Sequence, residues 1–296
     1  MQEASSRCSS EVEDGVRGTR SVFPGPPPRP PAWQEPLAAR LFFGAGPRLA
    51  RVVEPDPPET LRPWETVAVE RNGAGPLGGT WYPAEGEARG AVLLLHPWIE
   101  WGQSYFHRRG RIEALRAAGY HSLAVDLGRF GGARRQPGFP DRDVEAALAF
   151  LRQRAGDLPL HVWGVSAGGY WAHLVLSRVP GISGAIFEDV SPHLLEWTWR
   201  MAPWGRPFYL FFRHAFAASY RYMDARLHAA ALSLTAVSYV SGKRDRGVRP
   251  EDTRALGGAA GGRCLIVPGA DHLAAIKVAN RDVIDLALDT FERAER

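Results

Sequence analysis

Cysteine, lysine and long apolar runs are what this sequence has least of, and each shortage excludes something. Its two cysteines, Cys8 and Cys264, are too few for a disulfide framework or a multi-cysteine metal site. No uninterrupted apolar run reaches the roughly 18 residues that suggest a membrane-spanning helix, so no stable membrane insertion is expected. The start, Met1-Gln2-Glu3, lacks a basic stretch followed by an apolar one, so no secretory leader is expected and the cytoplasm is the expected location. Only Lys243 and Lys277 are lysines; the other basic residues are arginines scattered among 32 acids. The net charge of +4 therefore reads as a solvated surface rather than a phosphate-tracking stripe, and no nucleic-acid partner is expected. What the chain does have is 45% hydrophobic residues over 296 positions, enough for one large, well-filled core.

The chain divides by composition. Eleven of its 24 prolines lie in residues 1–60, including the run from Pro24 to Pro31. Such a segment cannot continue a helix or a central strand, so 1–60 reads as a proline-rich, largely disordered extension. A short amphipathic piece with Leu37, Leu41, Phe42, Leu49 and Val52 reads as a helix packed on the domain. Residues 61–296 alternate strand-like and helix-like segments. Eight strands are expected, at 66–69, 79–82, 91–95, 122–125, 160–163, 184–187, 235–240 and 264–267. Short all-apolar strands between helices mean a mostly parallel sheet covered on both faces, an α/β fold. Between two core strands, residues 191–234 carry ten aromatics, Trp197, Trp204 and Phe208 among them. That insertion reads as a helical, aromatic-rich lid whose side chains pack it down, line an apolar pocket, or do both.

Gly164-Val165-Ser166-Ala167-Gly168 is the sharpest local signal. A serine on a tight turn between strand and helix has its Oγ held clear of the backbone, and small neighbours let the two backbones approach. The helix N-terminus behind it favours developing negative charge. A serine nucleophile needs a base and a group that orients the base. His272 follows the last strand and Asp245 the strand before it, so both belong on the same rim as Ser166. The chain order Ser166, Asp245, His272 suits this architecture. Asp189, at the end of strand 184–187, is the alternative acid, and Asp271 reads as structural. His96 also ends a strand but precedes the serine, and reads as shaping the neighbouring loop. Gly73-Ala74-Gly75-Pro76-Leu77-Gly78 matches GxGxxG literally, yet Pro76 leads into a strand and not a helix. It reads as a hairpin turn, and no cofactor or metal is expected.

Taken in order, His96-Pro97-Trp98, Asp126-Leu127-Gly128-Arg129-Phe130-Gly131-Gly132, the Ser166 elbow, Asp245 and His272 resemble the α/β-hydrolase superfamily over roughly residues 64 to 296. The resemblance implies an α/β-hydrolase fold and an oxyanion hole made by the N–H groups of Trp98 and Ala167. Pro97 stands where relatives commonly carry glycine; it removes one donor and leaves the Trp98 N–H. Trp101, Ile99, Trp204 and Phe208 are candidates for the substrate pocket. A serine nucleophile points to acyl transfer on a small-molecule ester, thioester or lactone with an apolar acyl or aromatic group. The alternatives are a C–C lyase or acyltransferase on the same fold, and a catalytically idle binding protein.

Overall fold

The computed structural model describes residues 12–14, 25–44, 56–98, 102–128 and 138–296. In chain order the strands are β1 (Val12–Asp14), β2 (Glu65–Arg71), β3 (Ala74–Tyr82), β4 (Gly90–Leu95), β5 (Tyr120–Val125), β6 (Leu160–Val165), β7 (Gly184–Glu188), β8 (Ala236–Gly242) and β9 (Arg263–Val267). The helices are α1 (Gln34–Gly44), α2 (Arg111–Ala117), α3 (Asp141–Ala155), α4 (Ala167–Leu176), α5 (Leu194–Met201), α6 (Arg206–Ala215), α7 (Ala217–Tyr222), α8 (Ala225–Ala229), α9 (Pro250–Ala260), α10 (Ala275–Val278) and α11 (Asn280–Ala294).

One sheet of nine strands runs in the order β1-β9-β8-β7-β6-β4-β5-β3-β2. The six strands β4 to β9 are parallel, while β3 lies antiparallel on β5 and β2 on β3. The eight-strand expectation is corrected by β1, three residues of the proline-rich extension that pair antiparallel with the edge strand β9. An exposed edge offers unpaired backbone groups, and so short a segment with a charged composition carries no readable strand signal of its own. Gly73, at φ +75°, turns the β2–β3 hairpin, so the GxGxxG run is a turn entering a strand.

The parallel strands are buried on both faces because their side chains alternate between two apolar layers. In β4, Ala91, Leu93 and Leu95 enter one layer and Val92 and Leu94 the other. Helices α3, α4 and α9 and the lid cover the first layer; α2 and α11 cover the second. Helix α3 presents Val144, Ala147, Leu148 and Leu151 to the core, as their helical spacing requires. Gly119 ends the α2 segment with a left-handed φ of +84°.

The extension is also built onto the domain at residues 25–44. Gln34 Oε1 accepts from the backbone and hydroxyl of Ser219 in α7, both at 3.1 Å. Arg29 donates to Asp141 (3.0 Å) and Glu145 (2.7 Å) of α3. Within α1 the buried apolar residues are Ala38 and Ala39, with Gln34 and Glu35 buried beside them, while Leu37 is exposed. Leu41 is half-buried against the core beside these small residues, so the helix packs through Leu41 and the alanines and not through Leu37. Leu49 and Val52 of the same amphipathic piece lie outside the described residues.

Four buried histidines and the half-buried His107 follow from this packing. Burial holds His107, His161, His173, His193 and His228 at about 4, against 6.5 when solvated. Burial pushes the Asp141 carboxyl up to about 6 and that of Asp189 to about 7, which acts in the opposite direction. Between pH 6.5 and 4 the unfolded chain binds protons at the five imidazoles that the fold excludes, and the fold binds protons at the two carboxyls. The histidines outnumber the carboxyls, so these groups together make stability fall as pH is lowered through that window. Urea unfolding at a series of pH values should show this fall, and His173→Gln should flatten it by about one proton.

Candidate active site

Ser166 sits between β6 and α4 with φ +48° and ψ −115°, a conformation rare for a residue with a side chain. Its N–H donates to the Glu188 carbonyl at 2.7 Å, and its carbonyl accepts from Tyr170 N at 2.8 Å. Both ends of the turn are therefore tied, one to the neighbouring strand and one to the helix. Glycines make the approach possible. A Cβ at Gly164 would lie 2.5 Å from Gly169 Cα, and one at Gly168 would lie 2.3 Å from the Leu95 carbonyl oxygen and 2.6 Å from that of His96. Gly168 thus serves the contact between α4 and the end of β4, while the strand-to-helix approach is made by Gly164 and Gly169. Gly169 had no place in the five-residue pattern, although its identity was legible.

His272 lies on the loop after β9, with Nε2 3.2 Å from Ser166 Oγ. Its Nδ1 lies 2.6 Å from Asp245 Oδ2. That second hydrogen bond requires the proton on Nδ1, which leaves Nε2 facing the hydroxyl as an acceptor. Asp245 Oδ1 accepts from the N–H groups of Gly247 (2.8 Å) and Val248 (2.9 Å), so its carboxylate is fixed from two sides. The Asp245 side chain is fully buried, whereas that of His272 is 24% exposed. The acid-bearing and histidine-bearing loops are joined to each other: Lys243 N–H donates to Val267 O and Arg244 N–H to Ala270 O. Gly242 permits this, since a Cβ there would meet the Ala270 carbonyl oxygen at 2.3 Å.

Asp189 occupies the junction of these loops. It is fully buried at φ +51°. Its Oδ1 accepts from Gly242 N–H at 3.3 Å and its Oδ2 from Leu273 N–H at 2.9 Å. Asp189 therefore clamps the start of one loop to the residue after His272, while Asp245 holds the imidazole itself. As a place for the triad acid, the geometry favours Asp245 over Asp189. Asp189, Asp245 and His272 are also a group of metal-ligand type within 4.8 Å of one another. Hydrogen bonds already use His272 Nδ1 and carboxylate oxygens of both acids.

The loop after β4 is braced from below. Burial pushes the His96 imidazole below its ordinary value and keeps it neutral. Its Nε2 accepts from Leu127 N–H at 2.9 Å, so Nδ1 carries the proton and donates to the Pro97 carbonyl at 2.7 Å. His96 thereby links the loop after β5 to the peptide that precedes Trp98. Asp126 adds a second tie by accepting from Gln103 N at 2.9 Å. Ala167 opens α4, so its N–H is among the first-turn donors that an α-helix leaves without an internal partner. Beneath the elbow, Glu188 receives Arg111 Nη2 (2.9 Å) and the Trp163 indole N–H (2.5 Å), with both charged side chains about 1% exposed.

The lid distributes its aromatics differently from expectation. Trp197 of α5 is the lid aromatic found at the site, its ring centroid 6.0 Å from that of His272. It packs on Gly247 of the acid loop, where a Cβ would lie 2.3 Å from the indole nitrogen. Trp204 is 86% exposed and Phe208 37% exposed, so neither is buried in a pocket here. The physical reason is local: the turn Pro203–Gly205 and most of α6 stand outside the core, with only Phe212 of α6 buried. Trp101 and Ile99 lie outside the described residues, as do residues 129–132 of the motif after β5. An open groove of about 740 Å³ lies between Gly25–Pro31 and α7–α8, lined by none of the triad residues.

Comparison with known proteins agrees with this architecture. Residues 90–227 match the sequence model of the alpha/beta hydrolase fold family. No curated protein matches the chain. Among solved structures, an esterase of Pyrococcus furiosus is similar with a TM-score of 0.67 and 19% identity, over 83% of this chain and 97% of that one. A puromycin-hydrolyzing peptidase of Mycobacterium tuberculosis is similar with a TM-score of 0.58 and 18% identity, over 78% of this chain and 39% of that one. A bromoperoxidase of Bacillus anthracis is similar with a TM-score of 0.54 and 16% identity, over 77% of this chain and 100% of that one.

Gly168→Ala should be the most damaging single methyl in the site. It drives a Cβ into two backbone carbonyls that cannot rotate away. The expected outcome is a loss of about 3 kcal/mol or more, or failure to fold, read from the thermal unfolding midpoint. Gly258→Ala, where a Cβ meets nothing, is the control and should be neutral or stabilising.

Proposed function

The chain has the α/β-hydrolase fold, and on that premise we propose that it is a serine hydrolase of carboxylic esters or related acyl compounds. The continuous hydrogen-bond chain from Ser166 Oγ through His272 to Asp245 carries this reading. Ser166 Oγ attacks the acyl carbonyl while His272 Nε2 takes the hydroxyl proton. Asp245 holds the imidazole in the required tautomer and stabilises the imidazolium. The N–H groups of Ala167 and Trp98 stabilise the oxyanion, a contribution of about 3 kcal/mol for each donor in comparable sites. The imidazolium then protonates the leaving alkoxide or thiolate, leaving an acyl-enzyme on Ser166. Water attacks that ester, gives its proton to His272, and the acid departs as Ser166 recovers its hydrogen.

Partial exposure of His272 supports hydrolysis over transfer to another acceptor, because water reaches the base. Trp197 beside His272, with Trp98 packed against the core, supports an apolar or aromatic acyl group. In this reading Asp189 is a positioning residue: it orders the two loops and touches no reacting atom.

A p-nitrophenyl ester series from acetyl to palmitoyl tests the assignment. Turnover should fall about 10⁴-fold or more in Ser166→Ala and by a similar factor in Asp245→Asn. Equal activity of the native protein and Ser166→Ala would sink the reading. Asp189→Ala should lower kcat about ten- to a hundredfold with a smaller change in KM, because a misplaced base costs more than its distance suggests. Its kcat/KM should keep the pH profile of the native protein, whereas Asp245→Asn should alter it.

A further inference from the structure

The lid carries a second apolar surface, on the exposed side of α6. Between Glu196 and Asp224 the sequence contains no acidic residue, but it has Arg200, Arg206, Arg213, Arg221 and His214. In the same stretch Trp204 is 86% exposed, Phe211 56%, Met201 51% and Leu210 42%. Trp204, Phe208 and Phe211 recur at the four- and three-residue spacing of a single helical face, continuing from the turn into α6. Helix α6 buries Phe212 and half-buries Tyr209 on its inner side; its outer side leaves Phe208, Leu210 and Phe211 in water between Arg206 and Arg213. Among the described residues Arg206, Arg213 and Arg221 form no ion pair, whereas Arg200 is bound to Asp252 and Glu196. Arg206 and Arg213, without an acidic partner among the described residues, flank the apolar strip on α6 itself; Arg213 also stacks over the Tyr220 ring, and Arg221 lies on α7.

A contiguous exposed strip of this kind marks an interaction surface rather than scattered apolar residues. Its composition selects among partners. Tryptophan and arginine beside bulky apolar side chains, with acids excluded, match a bilayer interface: rings enter the headgroup boundary and guanidinium groups meet phosphates. No described helix is long and apolar enough to cross a membrane, so the contact is one of lying on the surface. We propose that the turn Pro203–Gly205 and the outer face of α6 dock on an anionic lipid surface, with Trp204, Phe208 and Phe211 entering the interface. The same polypeptide continues backward into α5, whose Trp197 stands against His272. Docking therefore sets the lid between the bilayer and the triad, on the side from which an apolar acyl compound dissolved in lipid would arrive.

Sedimentation of the full chain with vesicles of phosphatidylcholine, and of phosphatidylcholine mixed with phosphatidylglycerol, tests this without turnover, so its outcome is independent of the hydrolase reading. The chain should pellet with the mixed vesicles, and added salt should weaken the association. Leu210→Asp combined with Phe211→Asp should raise the apparent Kd about tenfold or more, and so should Arg206→Glu combined with Arg213→Glu. Both pairs are exposed, so unchanged unfolding midpoints confirm that the fold survives. A chain that stays in the supernatant with both vesicles overturns the assignment. Binding that neither pair weakens overturns it as well. A dimer in sedimentation velocity that Leu210→Asp with Phe211→Asp dissolves, in a chain that binds no vesicle, gives the strip to a second copy and overturns it too.

Discussion

Gly168 passes so close to the carbonyls of Leu95 and His96 that no side chain fits between them. That contact seats the start of α4 on the end of β4, and much of the site depends on it. It brings the first-turn N–H of Ala167 beside the loop that carries Trp98. It also leaves the chain one compact way to leave β6, through a serine in a sparsely populated backbone region. The hydrogen bonds from Ser166 N to Glu188 O and from Tyr170 N to Ser166 O hold that conformation from both sides. Strain at one residue is tolerated because the two layers around it are already over-determined.

The remainder of the site is arranged by buried polar groups that tie its loops together. His96 joins the Pro97 peptide to Leu127, and Asp143 continues the path by accepting from Gly128 N–H and from Arg71. Asp189 does the same work on the other side of β6, joining the loop that starts at Gly242 to the residue after His272. Such groups are costly to bury unless every partner is present. Their satisfaction is what makes the positions of Trp98, Asp245 and His272 mutually consistent, since these residues come from three separate loops.

The lid has two apolar faces with opposite destinations. Its inner face is anchored by Tyr170 to the Met223 carbonyl, by Tyr222 to Asp141, and by Trp197 against the acid loop. Its outer face is aromatic, basic and exposed. An aromatic count cannot separate the two, which is why Trp204 and Phe208, and not Trp197, are the pocket candidates from sequence. The discriminating fact is that α6 sits on the core through Phe212 alone among its fully buried residues.

Much of this was legible in the order of residues, and the reason is locality. Eight core strands, the turn at Gly73, the cap at Gly119 and the Ser166 elbow are each set by periodicity or by one residue's backbone preference, and none needs a distant partner. The same holds for the rim positions of Asp245 and His272, since parallel strands place every following loop at one end of the sheet. Tertiary structure decided what depends on contacts far apart in the chain. β1 exists only because β9 offers an edge. Helix α9, with Pro250 at its start and left-handed Gly261 at its end, was hidden by its glycines, one of which lets the helix lie against Cys264. That Asp189 joins Gly242 to Leu273 was visible only once both N–H groups were beside it, because the partners of a carboxylate are set by the donors that reach it.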